Sequence, residues 1–129
     1  MSKAKASIRT PRAQVRGLGS AKHGVGHFIG QRGSAIALIF LVPWLLIGLL
    51  DAVSGGYSQA MMWIEVPLNG LAIFLALGAA TYHMRLGMQV VIEDYISRPI
   101  TRMILLILNT FFCVLLFAVA GYSVVVIAA

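Results

Sequence analysis

Residues 66–84 read VPLNGLAIFLALGAATYHM, a stretch without a charged side chain, closed by Glu65 on one side and Arg85 on the other. A helix needs roughly 17–25 residues to cross about 30 Å of hydrocarbon, and this stretch supplies them. Two further stretches share the property: Ser34 to Leu50, bounded by Arg32 and Asp51, and Met103 to Ala129, which begins after Arg102. In lipid the backbone polar groups have to be satisfied within the segment itself, so each stretch reads as a transmembrane helix. Pro43 and Pro67 do not overturn this, because neighbouring helices accommodate a proline kink. The expected fold is therefore an all-α membrane protein with three transmembrane helices. Its spans lie at about 34–52, 62–86 with a helical extension to about 95, and 101–126.

Composition agrees. Of 129 residues 60% are hydrophobic and 11% charged, with a mean hydropathy of +0.91, whereas soluble domains average roughly 45–50% apolar and about 25% charged. Such a chain cannot hide its apolar side chains in a water-soluble core. Ten Lys and Arg against four Asp and Glu leave a formal charge of +6. In a soluble protein that balance would suggest nucleic acid. Here its layout describes topology, and no nucleic-acid partner is expected. Seven basic residues, Lys3, Lys5, Arg9, Arg12, Arg16, Lys22 and Arg32, precede the first span; Arg85, Arg98 and Arg102 surround the connection between spans two and three. The loop from Asp51 to Glu65 and the C-terminus have none. The positive-inside rule then puts the N-terminus and the second loop in the cytoplasm and the C-terminus in the periplasm, with Tyr57 and Trp63 at the outer aromatic belt and Tyr95 near the inner one.

Residues 1–33 form a basic, acid-free cytoplasmic tail and interfacial segment, expected to be mostly disordered and close to anionic lipid headgroups. Its end, His27 to Arg32, suits a short interfacial turn. Residues 34–129 make up the three-span anchor. The expected location is a bacterial inner membrane; an Arg-rich, acid-poor start also resembles a transit sequence, and the mitochondrial inner membrane is the alternative. The lone Cys113, inside an apolar run, offers neither a disulfide scaffold nor a thiolate metal site. No internal repeat, phosphate loop, zinc spacing or hydrolase constellation is present. A catalytic domain has no room in the chain, so catalysis cannot reside in it alone.

Chemistry concentrates at the end of span two, in TYHMRLGMQVVIEDY, residues 81–95. At about 100° per residue a continuous helix puts His83 and Asp94 on one face, roughly 16 Å apart along the axis. Ala72, Ala76, Ala79, Gly87 and Val90 fall within about 40° of His83. A stripe of small residues around an intramembrane histidine has two readings. One is helix packing, with the imidazole bonded to a polar group across the interface. The other is haem ligation, since neutral imidazole is a good iron ligand and a flat macrocycle needs small walls. Both expect a buried His83. His23 and His27 precede the first span, so a second axial ligand would have to come from a partner chain. Asp94 and Tyr95 read as a solvated acid and a belt aromatic, or as a quinone headgroup site in which the phenol donates to a carbonyl oxygen and the carboxylate relays protons. Tyr95 lies about 120° from His83, so that site requires the helix to end or bend before Ser97-Arg98-Pro99. Arg85, about 200° from His83, reads as a snorkelling cation. Arg32 reads as a membrane-edge anchor, or as a cation for a haem propionate or lipid phosphate. Asn109 suits a bond to another helix.

His83, followed by Asp94-Tyr95 on the second of three spans, resembles the smaller hydrophobic membrane anchors of succinate dehydrogenase. Gly87, Gln89, Val90 and the stretch Gly26 to Arg32 extend the similarity, which covers the chain from about Gly19 onward. The resemblance implies that His83 is an axial ligand of haem b, shared with a larger partner anchor, the cytochrome b subunit. It implies ubiquinone bonded by Tyr95 with Asp94 beside it, and Arg32 near the haem propionates. The further partners it implies are an iron–sulfur subunit and a flavoprotein carrying FAD, docked on the cytoplasmic side. Two positions depart from the family pattern: Arg85 is not the residue expected there, and His27 is offset by one. Two other classes stand against this reading: a small proton-relay transporter or channel subunit with His83 as relay, and a haem-free membrane scaffold.

Overall fold

The computed structural model describes residues 10–16 and 24–128. It contains a short helix α1 (Pro11–Arg16) and then α2 (Gly24–Ser54), α3 (Gly56–Glu65), α4 (Pro67–Tyr95) and α5 (Pro99–Ala128). Three of these, α2, α4 and α5, are long and apolar enough to cross a membrane, and no strand occurs among the described residues. The expectation of a disordered tail falls largely on residues 1–9 and 17–23, outside the described residues.

Helix boundaries follow local chemistry. Pro67 and Pro99 open α4 and α5, where a missing N–H costs nothing and the ring's fixed φ suits the first turn. A residue before proline is driven to extended backbone, and Val66 obeys with φ −65° and ψ 119°. This break separates α3 from α4, so the second membrane helix begins at Pro67 rather than at the expected 62. Gly56, at φ +83°, makes the turn from α2 into α3, a conformation that suits a residue without Cβ.

At its other end α2 starts at Gly24, well before the charge-free stretch, and the turn expected at 27–32 is instead part of this 31-residue helix. Its length is about 46 Å, more than the hydrocarbon needs. The extra turns are held by α4: a Cβ at Gly30 would lie 2.5 Å from Tyr82 Oη and 3.3 Å from Leu86.

Helix α4 is central. α2 packs on it from one direction and α5 from another, while α2 and α5 have no close backbone approach. The buried residues are mostly small: Ser34, Ala52, Ala72, Ala76, Thr81 and Cys113, with the larger Asn69, Leu86 and Ile92. Lipid tails are as apolar as leucine, so membrane helices associate through close packing of small residues and interhelical hydrogen bonds rather than by hiding large side chains. The large ones, such as Phe40, Ile47, Phe111 and Tyr122, point outward and are exposed. Helix α3 lies against the ends of α2 and α4. Trp63 stacks obliquely on Trp44 with centroids 6.2 Å apart, faces Gly48, and its carbonyl accepts from Asn69 Nδ2 at 2.7 Å.

Gly30→Ala should destabilise the detergent-solubilised protein by about 1–3 kcal/mol through overpacking, read as a lowered thermal midpoint. Tyr82→Phe, by removing the obstructing oxygen, should restore much of the loss in the double variant; no recovery would show that this contact does not set the α2–α4 distance.

Candidate functional site

His83 lies just past the middle of α4, turned toward α2. Its Nδ1 is 3.0 Å from Ser34 Oγ. The same hydroxyl lies 2.8 Å from the Gly30 carbonyl and 3.1 Å from the Gln31 carbonyl, neither of which can donate. The single hydroxyl proton therefore goes to its own helix, and the oxygen accepts from His83 Nδ1–H. A neutral imidazole with its proton on Nδ1 carries its lone pair on Nε2. Nε2 has no hydrogen-bond partner among the described residues.

The ring is half-buried rather than buried. Together with Gly24, His27, Phe28, Gln31, Arg32, Ala35, Gly87 and Val90 it lines an open hollow of about 570 Å³ on the α2–α4 face. Two polar atoms there, His27 Nε2 and Gln31 Oε1, are buried without a partner. Buried polar atoms are normally hydrogen-bonded, to water or another group where the protein itself offers no partner. Arg32 is exposed at the rim, its guanidinium 5.4 Å from the centre of the Phe28 ring.

The structure thus brings His83 and Arg32 to one hollow. Asp94 and Tyr95 stand apart. Tyr95 ends α4, as a quinone site requires, and Ile96 follows in extended conformation. Its side chain is 82% exposed and borders a shallow depression with Ile96, Ser97, Arg98 and Thr101. Asp94 is exposed and borders neither cavity. Arg102 steadies this corner, its Nε donating to the Ile96 carbonyl at 3.0 Å, while Gln89 donates to Glu93 at 2.8 Å.

Arg85 departs from the snorkelling expected of it. It is half-buried against α5, and its Nε donates to Thr110 Oγ1 at 3.3 Å. Asn109 Nδ2 donates to the Arg85 carbonyl at 2.9 Å, the interhelical bond expected of that residue. α4 therefore presents His83 to α2 and Arg85 to α5.

Sequence reasoning missed Ser34, Gln31 and the placement of His27. The signal was present in their spacing: positions 27, 31 and 34 share a helical face, but the charge at Arg32 reads as a helix boundary and hides it.

A multi-pass α-helical membrane protein is defined by these features, with the imidazole of its central span bordering an open hollow. Residues 6–120 match the family described as succinate dehydrogenase/fumarate reductase transmembrane subunit. Relatives named succinate dehydrogenase hydrophobic membrane anchor subunit include one from Rickettsia bellii, 36% identical over 84% of this chain and 86% of the relative, and one from Rickettsia conorii, 35% identical over 78% and 81%. No solved structure matches. The chain belongs to the succinate dehydrogenase/fumarate reductase transmembrane subunit family.

Asn109→Leu should loosen α5 from α4 and cost roughly 0.6 kcal/mol, the average for interhelical bonds in membranes. Chemical denaturation in mixed micelles measures it; an unchanged stability would mean that the bond to the Arg85 carbonyl is replaceable.

Proposed function

We propose that this chain is the smaller membrane anchor of a succinate:quinone oxidoreductase, contributing His83 as one axial ligand of haem b and Tyr95 with Asp94 to ubiquinone reduction. The observation that carries the reading is the state of His83: Nδ1 is occupied by Ser34, Nε2 is free, and the ring borders a hollow walled in part by Gly87 and Ala35. His83 would hold the haem iron from this chain, and a second membrane anchor, the cytochrome b partner, would supply the other protein ligand. The orphaned polar atoms of His27 and Gln31, with Arg32 at the rim, suit the polar edge of the same group.

Haem, when bound, supplies a one-electron carrier whose potential depends on its axial ligands and their hydrogen bonds. The chain's residues do the rest. His83 orients its lone pair through the bond to Ser34, and Arg32 offers a positive charge to carboxylates. Tyr95, at the end of α4, donates its phenolic hydrogen to a quinone carbonyl oxygen. Asp94, exposed to water, passes protons toward it. Two electrons from an iron–sulfur subunit and two protons from the aqueous side convert quinone to quinol, so this site belongs at a membrane surface. The electrons originate in a flavoprotein, with its FAD, that oxidises succinate. Arg98 and Arg102 beside Tyr95 agree with a cytoplasmic position for this corner by the positive-inside rule, and the bacterial relatives support an inner-membrane location. The basic tail of residues 1–33 would lie on that same side, against anionic lipid.

In the purified complex, His83→Ala should abolish or shift the b-type visible spectrum; an unchanged spectrum removes the ligand assignment. A complex colourless in the Soret region before any substitution would make the chain a haem-free scaffold. Tyr95→Phe should lower succinate:ubiquinone activity about 10-fold or more while leaving succinate oxidation by an artificial acceptor intact, since a lost catalytic proton donor is worth roughly 10²–10⁴-fold. Equal activity with both acceptors would place the quinone elsewhere.

A further inference from the structure

We infer that Ser34 is a positioning residue for the iron ligand: its hydroxyl fixes the tautomer and ring angle of His83 and tunes the haem through that hydrogen bond. The inference rests on the haem reading above and deepens it.

Ser34 occupies an unusual place. In the 31-residue α2 only Ser34 and Ala52 are buried, so one of the two positions hidden from lipid carries a hydroxyl. Burying a hydroxyl is costly unless it is bonded. A serine in a membrane helix meets that need by donating to a carbonyl one turn back, and Ser34 does so at 2.8 Å to Gly30. Its donor is satisfied without His83. The contact at 3.0 Å therefore uses only the acceptor side of the oxygen, and the group that benefits is the imidazole. Without Ser34, the Nδ1–H would lose the hydrogen-bond partner it has among the described residues. The ring could then rotate, or shift its proton to Nε2 and lose the lone pair on that atom.

The surrounding packing makes this bond rigid. Gly30 sits against Tyr82 and Leu86, and Leu86 is 5% exposed. Ser34 and His83 thus lie between the close approach at Gly30 and the hollow. Histidine ligands generally hold their second nitrogen in this way, and the partner sets ligand basicity as well as orientation. A neutral hydroxyl is a weaker acceptor than a carboxylate, so it raises basicity modestly. Removing it makes the imidazole a poorer electron donor, which favours ferrous over ferric iron and moves the reduction potential upward.

The test uses the intact four-subunit complex with three variants, Ser34→Ala, Ser34→Thr and Ser34→Cys. Each is compared at equal flavin content for haem per flavin, the low-spin electron paramagnetic resonance signal and the haem midpoint potential. Ser34→Ala should lower haem per flavin severalfold, broaden or shift the low-spin signal, and raise the midpoint potential of the haem that remains. Ser34→Thr keeps the hydroxyl and should retain wild-type values; Ser34→Cys, a weaker acceptor, should fall between. A wild-type potential and signal in Ser34→Ala overturns the inference, as does a Ser34→Thr complex altered as much as Ser34→Ala, which would make bulk rather than hydrogen bonding the cause. If Ser34→Ala fails to assemble, the Thr and Cys pair decides: a potential equal in both overturns the proposal, and a higher one in Cys supports it. Failure of the underlying haem reading shows separately, as an unaltered spectrum in His83→Ala.

Discussion

The crossing of α2 over α4 is the contact on which the rest of this structure depends. At Gly30 the two helices come close enough that a Cβ would meet the Tyr82 hydroxyl, and one turn further on Ser34 reaches His83. Close approach and hydrogen bonding are the two forces that hold helices together in lipid, where burying large apolar side chains gains nothing. Here both act at one place, and that place occupies Nδ1 of His83. Packing and chemistry cannot be separated at this crossing.

The central position of α4 has a further consequence. Its two faces carry different polar groups to different neighbours, His83 toward α2 and Arg85 toward α5. The second face is closed by bonds from Thr110 and Asn109, so it acts as a seam. The first is left open, with unpartnered polar atoms on His27 and Gln31. Polar groups on the α5 side are thus paired within the chain, while on the α2 side His27 Nε2 and Gln31 Oε1 are not. The exposed apolar surfaces of α2 and α5 require lipid or a companion chain. Family membership identifies the kind of assembly in which that companion would be found.

Much of the fold was legible. Charge-free runs between charged residues located three spans because the energetic cost of a charge in hydrocarbon is large and local. The end of α4 at Tyr95 was readable from Ser97-Arg98-Pro99 for the same kind of reason, a steric rule acting within a few residues. The start of α2 was not. Arg32 looked like a boundary, yet a helix can continue through water for several turns when another helix supports it, and that support comes from Tyr82 and Leu86, about fifty residues away in sequence. The candidate residues divided along the same line. His83, Tyr95 and Asp94 stood out as candidates by type and spacing, whereas Ser34 looked like any serine at a membrane edge and Arg85 like any snorkelling cation.

By itself, then, the sequence determined the membrane class, the number of spans, their approximate limits and the presence of an isolated imidazole in the second, since each follows from the transfer energetics of residues taken in order. Tertiary structure alone decided that His83 meets Ser34 through Nδ1, that His27 and Gln31 gather at the same hollow, and that Arg85 is tied to α5. Those outcomes depend on which faces of α2, α4 and α5 are brought within about 3 Å of each other, the range in which hydrogen bonds form, and no local pattern in one helix specifies the rotation of its neighbour.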